Sequence, residues 1–107
     1  MKIEFIETSF FTKQLAQLLT DEEYRRLQSE LIENPDKGRL IVGGLGIRKI
    51  RAAYAGKDKS GGARAIYYFK KDDRRIYMLL IYPKSEQENL TPEQLEILTE
   101  LVRRELK

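Results

Sequence analysis

Positively charged side chains are concentrated in one strand-like stretch, RKIRAAYAGKDKSGGARAIYYF, which spans residues 48–69. The stretch holds six cations and a single acid, Asp58. Residues two apart on a β-strand share a face, so Lys49 and Arg51 are expected on one side of the sheet, with Arg64 beside them on the next strand. Like charges on neighbouring strands repel. The pattern therefore predicts a surface kept for a polyanionic partner.

Single-stranded RNA matches such a surface, because cations bind its phosphates and an aromatic ring can stack on an exposed base. The residues expected to contact RNA are Arg48, Lys57, Lys59 and Tyr82. Considered singly, Tyr82 also fits a hydrophobic core, and Arg51 fits a surface ion pair. A solvated hairpin whose lysines protect the sheet edges is the plain alternative for the whole cluster. Because the cations are expected to converge on one side of the sheet, we favour the RNA-binding interpretation over these alternatives.

A site made of arginine and lysine could cleave RNA without a metal ion if the ribose 2′-OH attacks the adjacent phosphate. Arginine holds a phosphate through two parallel hydrogen bonds and stays protonated. Lysine can act as the base where neighbouring cations lower its pKa. The chain has no histidine and no cysteine, so we expect no metal site, no cofactor and no thiol chemistry. Without histidine, such a site would be a weak catalyst unless another molecule holds and orients the substrate. This favours a nuclease that is active only when that molecule is present.

The charge along the chain is divided into three blocks. Residues 37–84 carry thirteen bases and three acids, whereas residues 1–36 and 85–107 carry more acids than bases. The length of 107 residues predicts one domain over residues 1–107. No apolar run is long enough to span a membrane, so we expect a cytoplasmic protein with no membrane partner.

The pattern of apolar residues predicts the order β-α-α-β-β-β-α. Residues 2–7 alternate as a half-buried strand, and Thr20 and Thr91 each begin a capping box that marks a helix start. Residues 34–46 form a connector, and three strands are expected near residues 47–55, 63–71 and 75–83. The last strand is apolar on both faces and should be central. The predicted fold class is α+β, with a helical hairpin and a C-terminal helix packed on a mostly antiparallel sheet.

Three segments, GLGIRKIR, GKDKSGGARAIYYF and YMLLIYPKSEQENLT, together resemble the RelE/HigB toxins of bacterial type II toxin–antitoxin systems, in particular the HigB-like branch. The resemblance implies a RelE-like fold and a toxin that inhibits translation by cleaving mRNA in the ribosomal A site, as a metal-independent endoribonuclease. It also implies the ribosome as partner and a cognate antitoxin, usually a helix-turn-helix protein in this branch.

The resemblance assigns catalytic positions one by one. Lys49 and Arg51 match the two basic residues of the first catalytic strand, Arg64 matches the arginine at the scissile phosphate, and Lys84 matches the basic position after the last strand. The chain departs from the family pattern at Ser85 and at residues 90–91, where well-studied members have an arginine and a tyrosine. Two alternatives therefore stay open: a ParE-like inhibitor of DNA gyrase, and a non-catalytic module that binds RNA or the ribosome.

Overall fold

Five strands and three helices form the part of the chain that the computed structural model describes, residues 2–52 and 62–107. The strands are β1 (Glu4–Glu7), β2 (Arg39–Leu40), β3 (Ile47–Ala52), β4 (Ala63–Lys70) and β5 (Arg75–Pro83). The helices are α1 (Ser9–Leu18), α2 (Asp21–Glu33) and α3 (Pro92–Leu101), and α3 continues as a π-helical turn over Val102–Leu106. No helix within these two ranges is long and apolar enough to cross a membrane.

Each helix begins at a threonine whose hydroxyl accepts a hydrogen bond from the first turn. Thr8 caps α1, and Thr20 and Thr91 cap α2 and α3. The two predicted capping boxes are both present: the side-chain oxygens of Glu23 and Gln94 accept hydrogen bonds from the backbone N–H groups of Thr20 and Thr91. These caps satisfy N–H groups that a helix leaves unpaired at its start.

The strands lie in the order β1-β5-β4-β3-β2, with β1 parallel to β5 and every other pair antiparallel. The apolar β5 is therefore flanked by strands on both sides, as its composition predicts. The α+β class and the mostly antiparallel sheet are confirmed. The short strand β2 was not expected, since its two residues fall within the predicted connector.

The two faces of the sheet bury separate hydrophobic clusters. Helices α1 and α2 cover one face, where Phe11, Leu27 and Leu31 pack against the strands. Helix α3 covers the other face, where Leu98 and Val102 pack with residues of β3, β4 and β5. Exposed Arg51 shares this second face, so α3 leaves one end of it open.

The first part of the connector, residues 34–38 between α2 and β2, is held against the sheet by Tyr67. The Tyr67 hydroxyl donates to the carbonyl of Pro35 (2.7 Å) and accepts from the N–H of Gly38 (2.9 Å). Arg48 adds hydrogen bonds to the carbonyls of Asp36 (3.0 Å) and Gly38 (2.7 Å). These contacts hold β2 alongside β3, and with it the edge of the open sheet face.

Candidate functional site

Two pairs of cations stand directly opposite each other across neighbouring strands. Arg39 of β2 is opposite Lys49 of β3, and Arg51 of β3 is opposite Arg64 of β4. Like charges placed directly opposite destabilise a sheet. Since four cations occupy these positions, the sheet concentrates positive charge at this edge at some expense in stability.

The cations line a cleft of about 440 Å³, which we name the basic cleft. Its described lining consists of Glu30, Lys37, Gly38, Arg39, Lys49, Ile50, Arg51, Arg64 and Glu88. The structure thus brings together three of the residues that the sequence predicts for the site: Lys49, Arg51 and Arg64. Glu30 is paired with Lys37 at 2.6 Å, so among the described lining residues Glu88 is the carboxylate that faces Arg64.

Arg64 is the most deeply placed cation of the cleft, with only 4% of the residue exposed. Its guanidinium donates to the carbonyl of Ala63 (3.3 Å) and lies 3.9 Å from the Glu88 carboxylate. A charge in such a place acts through a lower effective dielectric than one in open water, so it attracts an anion more strongly. Arg64 is therefore suited to holding a phosphate.

The segment between β5 and α3 lies over the cleft and contacts its side chains. The Lys49 ammonium donates to the side-chain oxygen of Asn89 (2.7 Å) and to the carbonyl of Glu88 (3.5 Å). The Tyr82 hydroxyl also reaches this carbonyl at 3.5 Å. Sequence reasoning missed Glu88 and Asn89, and it missed Arg39. No local pattern singles out the first two, and Arg39 lies in a strand of only two residues, too short to show alternation.

Tyr82 is paired with Arg64 across β4 and β5 but is 5% exposed. Its ring packs in the cluster beneath α3, and burial raises the pKa of its hydroxyl, partly opposed by the positive charge of Arg64. The face that would stack on a base is covered in this arrangement.

The described lining of the basic cleft includes neither Lys84 nor Arg48. Lys84 follows β5, and its backbone N–H donates to the carbonyl of Gly62 (2.9 Å). Arg48 alternates with Lys49, so it points to the opposite side of β3, where it holds the connector. Lys57 and Lys59 lie outside the described residues.

A family model described as the RelE toxin of the RelE/RelB toxin–antitoxin system matches residues 5–107. The chain belongs to the RelE toxin family. This confirms the resemblance to RelE inferred from the sequence and gives the chain a toxin role. A solved structure with the same fold is the crystal structure of the intact E. coli RelBE toxin–antitoxin complex. The match has a TM-score of 0.58 and 18% sequence identity, and it covers 75% of this chain and 94% of the other.

The described part of this RelE-family site combines five cations with two carboxylates, of which Glu30 is paired with Lys37. Across residues 2–52 and 62–107, no three acidic, histidine or cysteine side chains gather into a group that could hold a metal ion. Arg51 and Arg64 of the basic cleft can neutralise the charge of a phosphate. The Lys49 ammonium, which donates a hydrogen bond to Asn89, can serve as a proton donor in the same cleft. A phosphate bound there would compete with Glu88 for Arg64.

Proposed function

We propose that this toxin is a ribosome-dependent mRNA endonuclease that cleaves mRNA in the ribosomal A site without a metal ion. The observation that carries the proposal is the convergence of Lys49, Arg51 and Arg64 in one cleft, with Arg51 and Arg64 directly opposite each other. Because that pairing opposes sheet stability, its presence is best explained by a polyanionic substrate.

The reaction that suits these groups is an internal transfer within the RNA. The 2′-oxygen attacks the adjacent phosphorus, the bond to the 5′-oxygen breaks, and a 2′,3′-cyclic phosphate and a 5′-hydroxyl result. Arg51 and Arg64 bind the phosphate and offset the negative charge that grows in the transition state. Lys49 and Lys84 are the proposed proton-transfer groups, moving the proton from the 2′-hydroxyl to the leaving oxygen.

Contacts with the ribosome are proposed for the cations around the cleft. For Lys57 and Lys59, which lie outside the described residues, contact with RNA or the ribosome remains a prediction. Arg48 is held by hydrogen bonds to the connector and Tyr82 is buried, so Arg39, which lines the cleft, is better placed to bind an RNA phosphate. The ribosome would orient the mRNA and thereby supply what a site without histidine lacks.

A cognate antitoxin is the proposed protein partner. The matched E. coli structure is a toxin–antitoxin complex, and we infer that this chain is neutralised in the same general way. The HigB-like character of the sequence favours a helix-turn-helix protein in that role.

The decisive variant is Arg64→Ala under inducible expression. Loss of a buried guanidinium that binds the reacting phosphate should lower cleavage by about 10²–10³-fold, and growth arrest should disappear. Because Arg64 is buried, circular dichroism must show that the variant is folded. Exposed Arg51→Ala serves as a second variant with less structural risk. Arg26→Ala is the control, since its guanidinium pairs with Glu22 on the exposed side of α2.

Mapping of RNA ends separates the three functions. Wild-type arrest with mRNA cut inside translated codons supports the endonuclease. DNA damage with intact transcripts identifies gyrase inhibition. Binding that weakens steeply with salt but leaves no cut ends identifies a non-catalytic module. A wild-type chain that does not slow growth contradicts the toxin role itself.

A further inference from the structure

A second cleft, mainly apolar, adjoins the basic cleft. It has a volume of about 320 Å³, and its apolar side chains are Leu40, Ile41, Val42, Leu90 and Leu95. We name it the apolar cleft. Val42 is 94% exposed and Leu40 is 54% exposed. A contiguous patch of exposed apolar side chains commonly marks a surface that another protein covers.

The charge at the rim of the apolar cleft narrows the choice of partner. Arg39 and Lys49 line both clefts, and none of the described lining residues of the apolar cleft is a carboxylate. A segment with apolar side chains and an acidic residue at one end matches this surface in shape and charge. RNA would match the cations but would leave five apolar side chains without an apolar partner, so the cleft favours a protein.

The sheet edge offers a further means of attachment. β2 is the last strand of the described sheet, and β3 is its one neighbour there. The outer side of such a strand presents backbone N–H and C=O groups that an extended segment can pair with. The same segment could then place alternate side chains in the apolar cleft, because Leu40 belongs to β2.

We propose that the apolar cleft binds an acidic, apolar segment of the cognate antitoxin. This inference rests on the proposed function, in which such an antitoxin neutralises the toxin. Since Arg39 and Lys49 belong to both clefts, a segment seated there covers two cations that RNA would need. Neutralisation would then come from direct blockage of the basic cleft.

The test uses Val42→Asp and Leu40→Asp, which place a carboxylate among the apolar walls and beside an acidic partner. The probe is the protein encoded by the reading frame adjacent to the toxin gene, co-expressed and also purified for calorimetry. Both variants should arrest growth as strongly as the wild type, should escape rescue by the probe, and should bind it about 100-fold more weakly. Phe10→Asp is the matched control, because Phe10 is an exposed apolar residue of α1, on the other face of the sheet.

Three results would overturn the proposal. The first is normal rescue and unchanged affinity in both variants. The second is a folded variant that has lost toxicity when expressed alone, since the surface would then contact the ribosome. The third is a wild-type dimer that Val42→Asp converts to monomer, since a second copy would then occupy the cleft. A non-toxic wild type contradicts the proposed function only, because calorimetry with the purified probe still tests the cleft.

Discussion

At the residue scale, Glu88 stands where a phosphate oxygen of the substrate would be expected. Its carboxylate is 3.9 Å from the Arg64 guanidinium, and its side chain is 56% exposed. The distance exceeds that of a hydrogen bond, and solvent screens the attraction, so the pair contributes little to stability. Under the proposed function, Glu88 is therefore mainly a competitor that RNA would have to displace from Arg64.

Glu88→Gln should strengthen RNA binding by roughly 2–5-fold, which corresponds to the ~0.5–1 kcal/mol of a largely exposed ion pair. Fluorescence anisotropy with a short single-stranded RNA at fixed salt measures the change. Glu86→Gln is the matched control, because it raises the net charge by the same amount at an exposed position outside the described lining of the basic cleft. Equal gains in both variants would attribute the effect to total charge and would count against a specific role for Glu88.

Alternation along strands explains which site residues could be predicted. Lys49, Arg51 and Arg64 meet because strand alternation sets the face of each side chain, and this much is readable from sequence. The same rule sends Arg48 to the opposite face, although its charge alone suggested RNA binding. The burial of Tyr82 depends on α3 packing over it, which alternation cannot reveal.

At the element scale, Tyr67 links the connector to the sheet that carries the cleft. Burial raises the pKa of its hydroxyl, partly offset by the hydrogen bond from Gly38, so Tyr67 is neutral and donates to Pro35. Gly38 is confined by the same side chain, since a Cβ there would lie 2.7 Å from the Tyr67 ring. The position of Arg39, one residue further on, thus depends on Tyr67.

Tyr67→Phe should lower the free energy of unfolding by about 1–3 kcal/mol, because the buried N–H of Gly38 loses its acceptor. Urea denaturation monitored by circular dichroism gives the value. Tyr68→Phe is the control from the same strand, since no hydrogen bond of the Tyr68 hydroxyl is found among the described residues, and it should change stability little. Equal losses in the two variants would show that the Tyr67 hydroxyl has no special role.

The regular elements could be predicted because their signals are local. Capping boxes at Thr20 and Thr91 and the alternation of β1 each lie within a few residues. The strand β2 could not be predicted in this way, because it has only two residues and its position depends on tertiary contacts from Arg48 and Tyr67 to Gly38, the residue before it. The connection between β4 and β5 is a 3₁₀ turn over Lys71–Asp73, which is followed by Arg74 in the left-handed region at φ 54°.

At the scale of the whole molecule, the acidic start of α2 lies outside the described lining of the basic cleft. The first turn of α2 consists of Asp21, Glu22 and Glu23, on the side of the sheet away from α3, whereas the basic cleft involves β2, β3 and β4. A field divided in this way orients the molecule as it approaches a polyanion. The alternating charge blocks of the sequence predicted this division, but only the fold determines which face of the sheet is positive.

Three tyrosines make the free energy of unfolding depend on pH in the alkaline range. Burial raises the pKa of Tyr24, whose hydroxyl donates to Glu7 at 2.8 Å, and burial also raises the pKa of Tyr67 and of Tyr82. In the unfolded chain a tyrosine loses its proton near pH 10, while these three hold theirs to higher pH when folded. The folded state then binds more protons than the unfolded state, so stability falls as the pH rises above about 10.

These three tyrosines should therefore leave the urea midpoint of unfolding unchanged from pH 7 to 9 and should lower it between pH 10 and 11. Tyr24→Phe removes one of the three contributions and should make the fall shallower, although it lowers stability at neutral pH through the lost hydrogen bond to Glu7. Lysines also titrate in this range, so the comparison is made between the slopes of wild type and variant at matched pH. Identical slopes would mean that the Tyr24 hydroxyl titrates alike in the folded and unfolded chains, which its buried contact between α2 and β1 argues against.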